Sequence, residues 1–147
     1  MYVLGAVVIL IQFIPVDRTN PPVKNEPSWD SPQTKTLVKN ACYDCHSNES
    51  EYPWYSYVAP VSWLVSNHIA EGREHLNFSE WTNDVDADEM IEEIKSGEMP
   101  LWDYKMMHSH ADLTPAQTDS LIAGLNRTFN SGFNSESKKS GEMGDDD

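Results

Sequence analysis

Residues 41–47 read Ala-Cys-Tyr-Asp-Cys-His-Ser. Cys42 and Cys45 are the two cysteines of the chain, and His46 follows the second directly. Three chemistries use such a spacing. A thioredoxin-type dithiol sits in a strand–helix unit, and no strand pattern precedes Cys42. A structural zinc site takes four ligands, usually as two pairs. The chain has no second pair of cysteines, and His68, His75, His108 and His110 stand at no common zinc spacing from the first. The third reading, Cys-x-x-Cys-His as the attachment site of a c-type haem, is preferred. Two intervening residues let the sulfurs of Cys42 and Cys45 reach the two porphyrin vinyl groups as thioethers. His46 then falls beneath the ring as proximal iron ligand.

Outward from the motif, the chain reads as helices joined by loops. Ser31 before Pro32 is a side-chain cap with proline at the first helical position, and Leu37, Val38 and Ala41 form a short apolar stripe. The motif lies at or just past the end of that helix. "NESEYPWYSYVAP" (48–60) reads as a loop. Val61, Leu64, Val65, His68, Ile69, Gly72 and Leu76 recur at helical steps and predict a helix over 61–76 with one apolar face. A helix over 86–96 has an acidic start, an inner face of Met90, Ile91 and Ile94, and Gly97 at its end. "EMPLWDYKMMHSHADL" (98–113) is loop-like. Thr114-Pro115-Ala116-Gln117 is a capping box that opens a last helix carrying Leu121, Ile122 and Leu125. Neither a strand nor a repeat is visible. Loops this long need something to pack them, and a large cofactor would do so.

Met99 directly precedes Pro100, and a stiff loop suits a thioether ligand. Met99 is therefore the preferred sixth ligand, although a methionine is more often plain core. The rival is His68, on an apolar helix face one turn before the small Gly72; core packing or a propionate contact are its other readings. Met106, Met107, His108 and His110 are further candidates. Tyr52, Trp54, Tyr55 and Trp63 could wall the haem edge or form ordinary aromatic core. Arg73 could neutralise a propionate or lie at the surface. Asn48-Glu49-Ser50 and Asn77-Phe78-Ser79 match the glycosylation pattern and carry little weight.

The formal charge of -14 over 147 residues leaves no basic footprint for nucleic acid or for anionic lipid. A basic redox partner, or another cytochrome, fits it. "MYVLGAVVILIQFIPV" (1–16) is apolar apart from Gln12, slightly short for a span, and lacks a basic start and a cleavage site. It reads as a membrane anchor or a short signal-anchor, with a buried helix as the alternative. Residues 17–30, with Pro21, Pro22 and Pro27, read as linker, 31–130 as the haem-binding domain, and 131–147 as a disordered tail. The acidic run Asp84 to Glu93 reads as a solvated face.

The chain resembles the bacterial haem-binding domain family of c-type cytochrome-like proteins. The resemblance rests on "CYDCHSNESEYPWYSYVAPVSWLVSNHIAEGREHLNFSEW" and "MPLWDYKMMHSHADLT", and reaches back to "IQFIPVDRTNPPV", covering roughly residues 10–127. Tyr52-Pro53-Trp54-Tyr55, His68, Gly72-Arg73 and Asn77-Phe78-Ser79 make it specific. Ser50 departs from a usual threonine and Ser109 from an expected proline. The resemblance implies a single covalently bound haem, export, and often an N-terminal anchor. The expected fold is all-α: a small cytochrome c-like bundle of about four helices, with long loops packed around one haem.

Two functional classes follow. An electron-transfer cytochrome has its iron closed by six ligands, here His46 and Met99 at the axial positions. A haem sensor or small peroxidase-like enzyme needs an open or displaceable sixth position and a distal group, for which His68 would serve. A zinc-stabilised interaction module is a third, non-redox option. The first is preferred. Because haem attachment occurs outside the bacterial cytoplasmic membrane, the periplasmic side is the expected location.

Overall fold

A computed structural model describes residues 2–82 and 85–140, with residues 130–140 described by backbone alone. Its elements are α1 (Tyr2–Leu10), α2 (Pro32–Ala41), α3 (Tyr43–His46), α4 (Val61–His75), α5 (Ala87–Ser96), α6 (Trp102–Met107) and α7 (Pro115–Ser140), with 3₁₀ turns at Ile11–Phe13 and Trp54–Tyr57. Among the described residues there is no strand, only an isolated parallel bridge between Asn25 and Glu80. The all-α expectation holds. Four helices, α2, α4, α5 and α7, stand where periodicity places them. Helix α1 lies within the apolar segment 1–16, and α3 and α6 are additional, too short to carry a periodic stripe. The chain divides into two compact units, Met1–Glu26 with Tyr43–Trp81, and Pro27–Cys42 with Thr82–Asp147.

In the second unit the caps of α2 and α7 and the glycine end of α5 are those the sequence announces, and Asp86 as the N-cap of α5 is added by the structure. The Ser31 side chain accepts the Thr34 N–H, and Pro32 opens α2. The Asp86 carboxylate accepts the N–H groups of Asp88 and Glu89 at the start of α5, and Gly97 ends it at φ 81°, a left-handed conformation that favours glycine. Thr114 Oγ1 accepts the Gln117 N–H while Gln117 Oε1 accepts the Thr114 N–H, closing the capping box of α7. Packed against α2 and α5, α7 buries Leu121 and Leu125 with Leu37, Val38, Ala41, Ile91 and Ile94. Gly124 faces Thr34, where a β-carbon would have no room. Helix α7 runs ten residues into the stretch read as a disordered tail. Neither proline nor glycine interrupts it between Gly132 and Gly141. Asp84 and residues 141–147 lie outside the described residues.

The first unit is built differently. Its buried apolar residues are few, Tyr43, Ala59, Ile69 and Phe78, and they share the interior with Ser47, Asn48, Ser50, Ser56, Ser62 and Ser79. Tyr43, Phe78 and Trp81 stack in sequence, with ring centroids 5.5 and 6.0 Å apart. Helix α4 packs on α3 and on the Trp54–Tyr57 turn. Its inward residues are Ser62, Ile69 and Gly72, while Val61 and Leu64 are exposed, so only part of the anticipated stripe is buried. Residues 17–26, expected as linker, form a strap. Asn20 donates to the Ser50 carbonyl, the N–H groups of Lys24 and Asn25 to that of Ser79, and Trp81 N–H to that of Asn25. Lys24 pairs with Glu80 at 2.6 Å, and the Asn48 amide donates to the Pro22 carbonyl. Buried carbonyls and hydroxyls of the 47–50 and 77–81 loops require partners, and the strap supplies them.

Helix α1 buries none of its residues, which overturns the buried-helix reading. Among the described residues, no helix is long and apolar enough to cross a membrane.

Candidate functional site

The motif begins at the end of α2. Cys42 caps that helix, its N–H donating to the Val38 carbonyl at 2.8 Å. Cys45 and His46 lie on α3, and both cysteines are half-buried. In the first unit, α3 crosses α4 at Gly72. A β-carbon there would stand 2.6 Å from the Cys45 carbonyl oxygen, inside contact distance of rigid backbone, so this crossing requires glycine.

The crossing sets the chemistry of His46. Its Nδ1 lies 2.8 Å from the Gly72 carbonyl oxygen and 3.1 Å from that of Leu76. Both are acceptors, so Nδ1 carries the proton and Nε2 keeps its lone pair. These carbonyls belong to the C-terminal end of α4, where the dipole favours a donor; that of Gly72 also accepts the Leu76 N–H at 2.9 Å. Burial holds the imidazole below its ordinary value; the two carbonyls pull it upward and His75 pushes it down again. The net is a ring kept neutral and tautomerically fixed, the form in which histidine binds a metal.

Beyond the motif, the next residues lock α3 down. The His46 carbonyl accepts the Phe78 N–H at 2.8 Å, and Ser47 Oγ donates to the Tyr43 carbonyl. Asn48 N–H donates to Ser79 Oγ, and Asn48 Oδ1 accepts from Asn77. The two stretches that match a glycosylation pattern are thus partners in one buried network. Sequence reading passed over this role, because nothing in a Ser/Asn-rich loop names its partner. Arg73 serves the same network. Its guanidinium donates to the Ser47 carbonyl, Ser50 Oγ, the Thr19 carbonyl and Asn20 Oδ1, between 2.7 and 2.9 Å. Four of its five N–H groups therefore bind the strap and the post-motif loop, a role that neither the propionate nor the surface reading anticipated.

The aromatic candidates separate. Trp54 is exposed and sits edge-on to Tyr55 at 5.9 Å, whereas Tyr52 and Tyr55 are half-buried. Burial and the Asp44 charge hold the Tyr55 phenol above its ordinary value. The Trp63 indole nitrogen is buried with no hydrogen-bond partner among the described residues. His68 is half-buried on α4. In the second unit, Met99 follows Gly97 in the turn after α5, its N–H on the Glu93 carbonyl at 3.1 Å. The loop expected after Met99 contains α6, with Met106 and Met107 exposed. His108 stacks on Tyr104 with centroids 4.1 Å apart and lies edge-on to His110. Among the described residues, no three His, Cys, Asp or Glu side chains converge as a metal site.

The haem-binding domain family matches residues 6–127. The chain belongs to that family. It is a haem-binding protein, and the resemblance drawn from its motifs holds over most of its length. No curated protein and no solved structure matches it. The residues present fit the group. A buried, partnerless indole N–H suits an acidic acceptor such as a propionate, and a neutral histidine with Nδ1 engaged suits iron.

Proposed function

We propose that this haem-binding protein is a mono-haem electron carrier. In this reading the cofactor is attached covalently through Cys42 and Cys45, with His46 as proximal and Met99 as sixth iron ligand. The observation that carries the reading is the His46 imidazole, whose Nδ1–H is held by the Gly72 and Leu76 carbonyls while Nε2 keeps its lone pair. Bound haem supplies a one-electron iron couple.

The chain's own residues do the rest. The α4 carbonyls fix the tautomer of His46 and raise its basicity as a ligand. The buried indole N–H of Trp63 would suit a propionate of the bound group. Tyr52 and Tyr55 shield the haem edge. Met99 raises the potential relative to two histidines, and the surplus of carboxylates lowers it by favouring the more positive, oxidised state.

The reading extends to location and partners. Covalent attachment is a reaction of the periplasmic side, and the exposed apolar α1 supports membrane attachment there. The charge of -14 supports a basic docking partner.

Spectra of the matured protein test the ligands. Ferric wild type should show the weak far-red charge-transfer band of methionine–iron ligation, Met99→Ala should lose it, and His68→Ala should keep it. A wild type without that band, and one that binds carbon monoxide readily, would be the sensor or enzyme instead. Acidified organic solvent should leave the pigment on the chain. Its extraction would overturn covalent attachment.

A further inference from the structure

Between Met1 and Val16 the only strongly polar side chain is Gln12, and it is already occupied. Its Oε1 accepts the Ala59 N–H at 2.9 Å and its Nε2 donates to the Ala59 carbonyl at 3.2 Å, with a further bond to the Val8 carbonyl. The amide therefore reads one residue of the 54–64 segment in both directions. Arg18 repeats the attachment. Its Nε donates to the Ser56 carbonyl at 3.0 Å, and its guanidinium lies 4.6 Å above the Tyr57 ring. Ser66 on α4 then donates to the Asp17 carbonyl. The apolar N-terminal helix is thus latched to a defined place on the first unit.

That place is itself apolar and exposed. Trp54 is 77 % and Tyr57 59 % accessible, with Val58, Val61 and Leu64 beside them. On the N-terminal side, Tyr2, Val3, Leu4, Ile9, Leu10 and Phe13 are all more than half exposed. A monomeric soluble protein rarely exposes an apolar area of this extent without a use for it.

We propose that α1, the Trp54–Tyr57 turn and the start of α4 form one lipid-facing surface, which seats the first unit directly on a zwitterionic bilayer. The proposal deepens the membrane attachment suggested above and rests on it. A second copy of the chain is a poorer occupant. A protein groove accepts an apolar stripe, whereas α1 is apolar around its whole circumference, as a helix in hydrocarbon is. Tryptophan and tyrosine are the residues that settle at headgroup level, and Arg18 over Tyr57 supplies a cation there. The net charge of -14 opposes anionic lipid, so the favoured surface is zwitterionic.

The test uses the full-length, haem-loaded protein with phosphatidylcholine vesicles. Sedimentation reports attachment, and hydroxyl-radical labelling read by mass spectrometry reports the accessibility of Trp54 and Tyr57. Trp102, exposed in the second unit, serves as the internal reference. The protein should pellet with vesicles, and labelling of Trp54 and Tyr57 should fall severalfold relative to Trp102. The double variant Val58→Asp/Val61→Asp should still pellet through α1 but lose that protection. Failure of wild type to pellet overturns both attachment and docking. Pelleting with no protection overturns docking and leaves attachment standing. Protection in a vesicle-free dimer would assign the surface to a second copy and overturn the proposal.

Discussion

At the residue scale, Gly72 and Arg73 stand side by side and do opposite work. Gly72 contributes by having no side chain, since the Cys45 carbonyl occupies the place of its β-carbon. Backbone on both sides cannot give way, so Gly72→Ala should destabilise by about 1–3 kcal/mol, in the range of overpacked cores. Thermal melts would check this, together with a lower yield of haem-loaded protein. Arg73 contributes through planarity: one fork reaches four oxygens of two segments. Arg73→Lys keeps the charge but not the fork. It should cost about 2 kcal/mol, as expected for charge-assisted hydrogen bonds, and should open the 17–26 strap to proteolysis before global unfolding. Equal cleavage rates in the variant and wild type would show that the strap does not depend on the guanidinium.

At the element scale, α2 and α7 are joined by Asp30. Its carboxylate accepts Arg127 Nε at 2.7 Å, and its N–H donates to Thr128 Oγ1 at 3.1 Å. Burial pushes this carboxyl up, but hydrogen bonds from Thr34, Arg127 and Thr128, with the Arg127 charge, outweigh it and hold it below the ordinary value. A carboxyl lowered on folding stabilises the fold above its unfolded titration, near pH 4, and loses that contribution as pH falls through the lowered value. Asp30→Asn should therefore cost about 1 kcal/mol at neutral pH, since Arg127 is largely exposed. It should also flatten the acid limb of a denaturant-stability profile. An unchanged limb would assign acid sensitivity to other carboxylates. The N-caps of α2 and α7 were legible because a cap is a local contract between residues three positions apart. The strap was not: Pro21, Pro22 and Pro27 announce extended backbone but cannot name Ser79 or Glu80 as partners.

At the scale of the whole molecule, none of the five tryptophans is fully buried, and the interior of the first unit is rich in serine. Little apolar area therefore comes from the polypeptide there. Under the proposed attachment, a chain denied its cofactor by Cys42→Ala/Cys45→Ala should melt well below the matured protein, and the loss should concentrate in the first unit. Hydrogen exchange resolved by segment checks this. Residues 43–81 should lose protection while α2, α5 and α7 retain most of theirs. Uniform loss would mean that the two units share one cooperative transition.

The sequence alone determined the haem-binding family and the helical class. Cys-x-x-Cys-His pointed to haem, and the apolar stripes with their caps marked four helices, because both are short-range patterns that survive in one dimension. It could not determine which ring nitrogen of His46 is free, why residue 72 is glycine, or where Arg73, Gln12 and Asn48 find their partners. Those depend on groups 23 to 54 positions away, brought within hydrogen-bond reach only when α3 crosses α4 and the strap closes over them. Polar residues in loops advertise a need for partners but not their identity, and tertiary structure chose them by bringing donors to the carbonyls of this crossing.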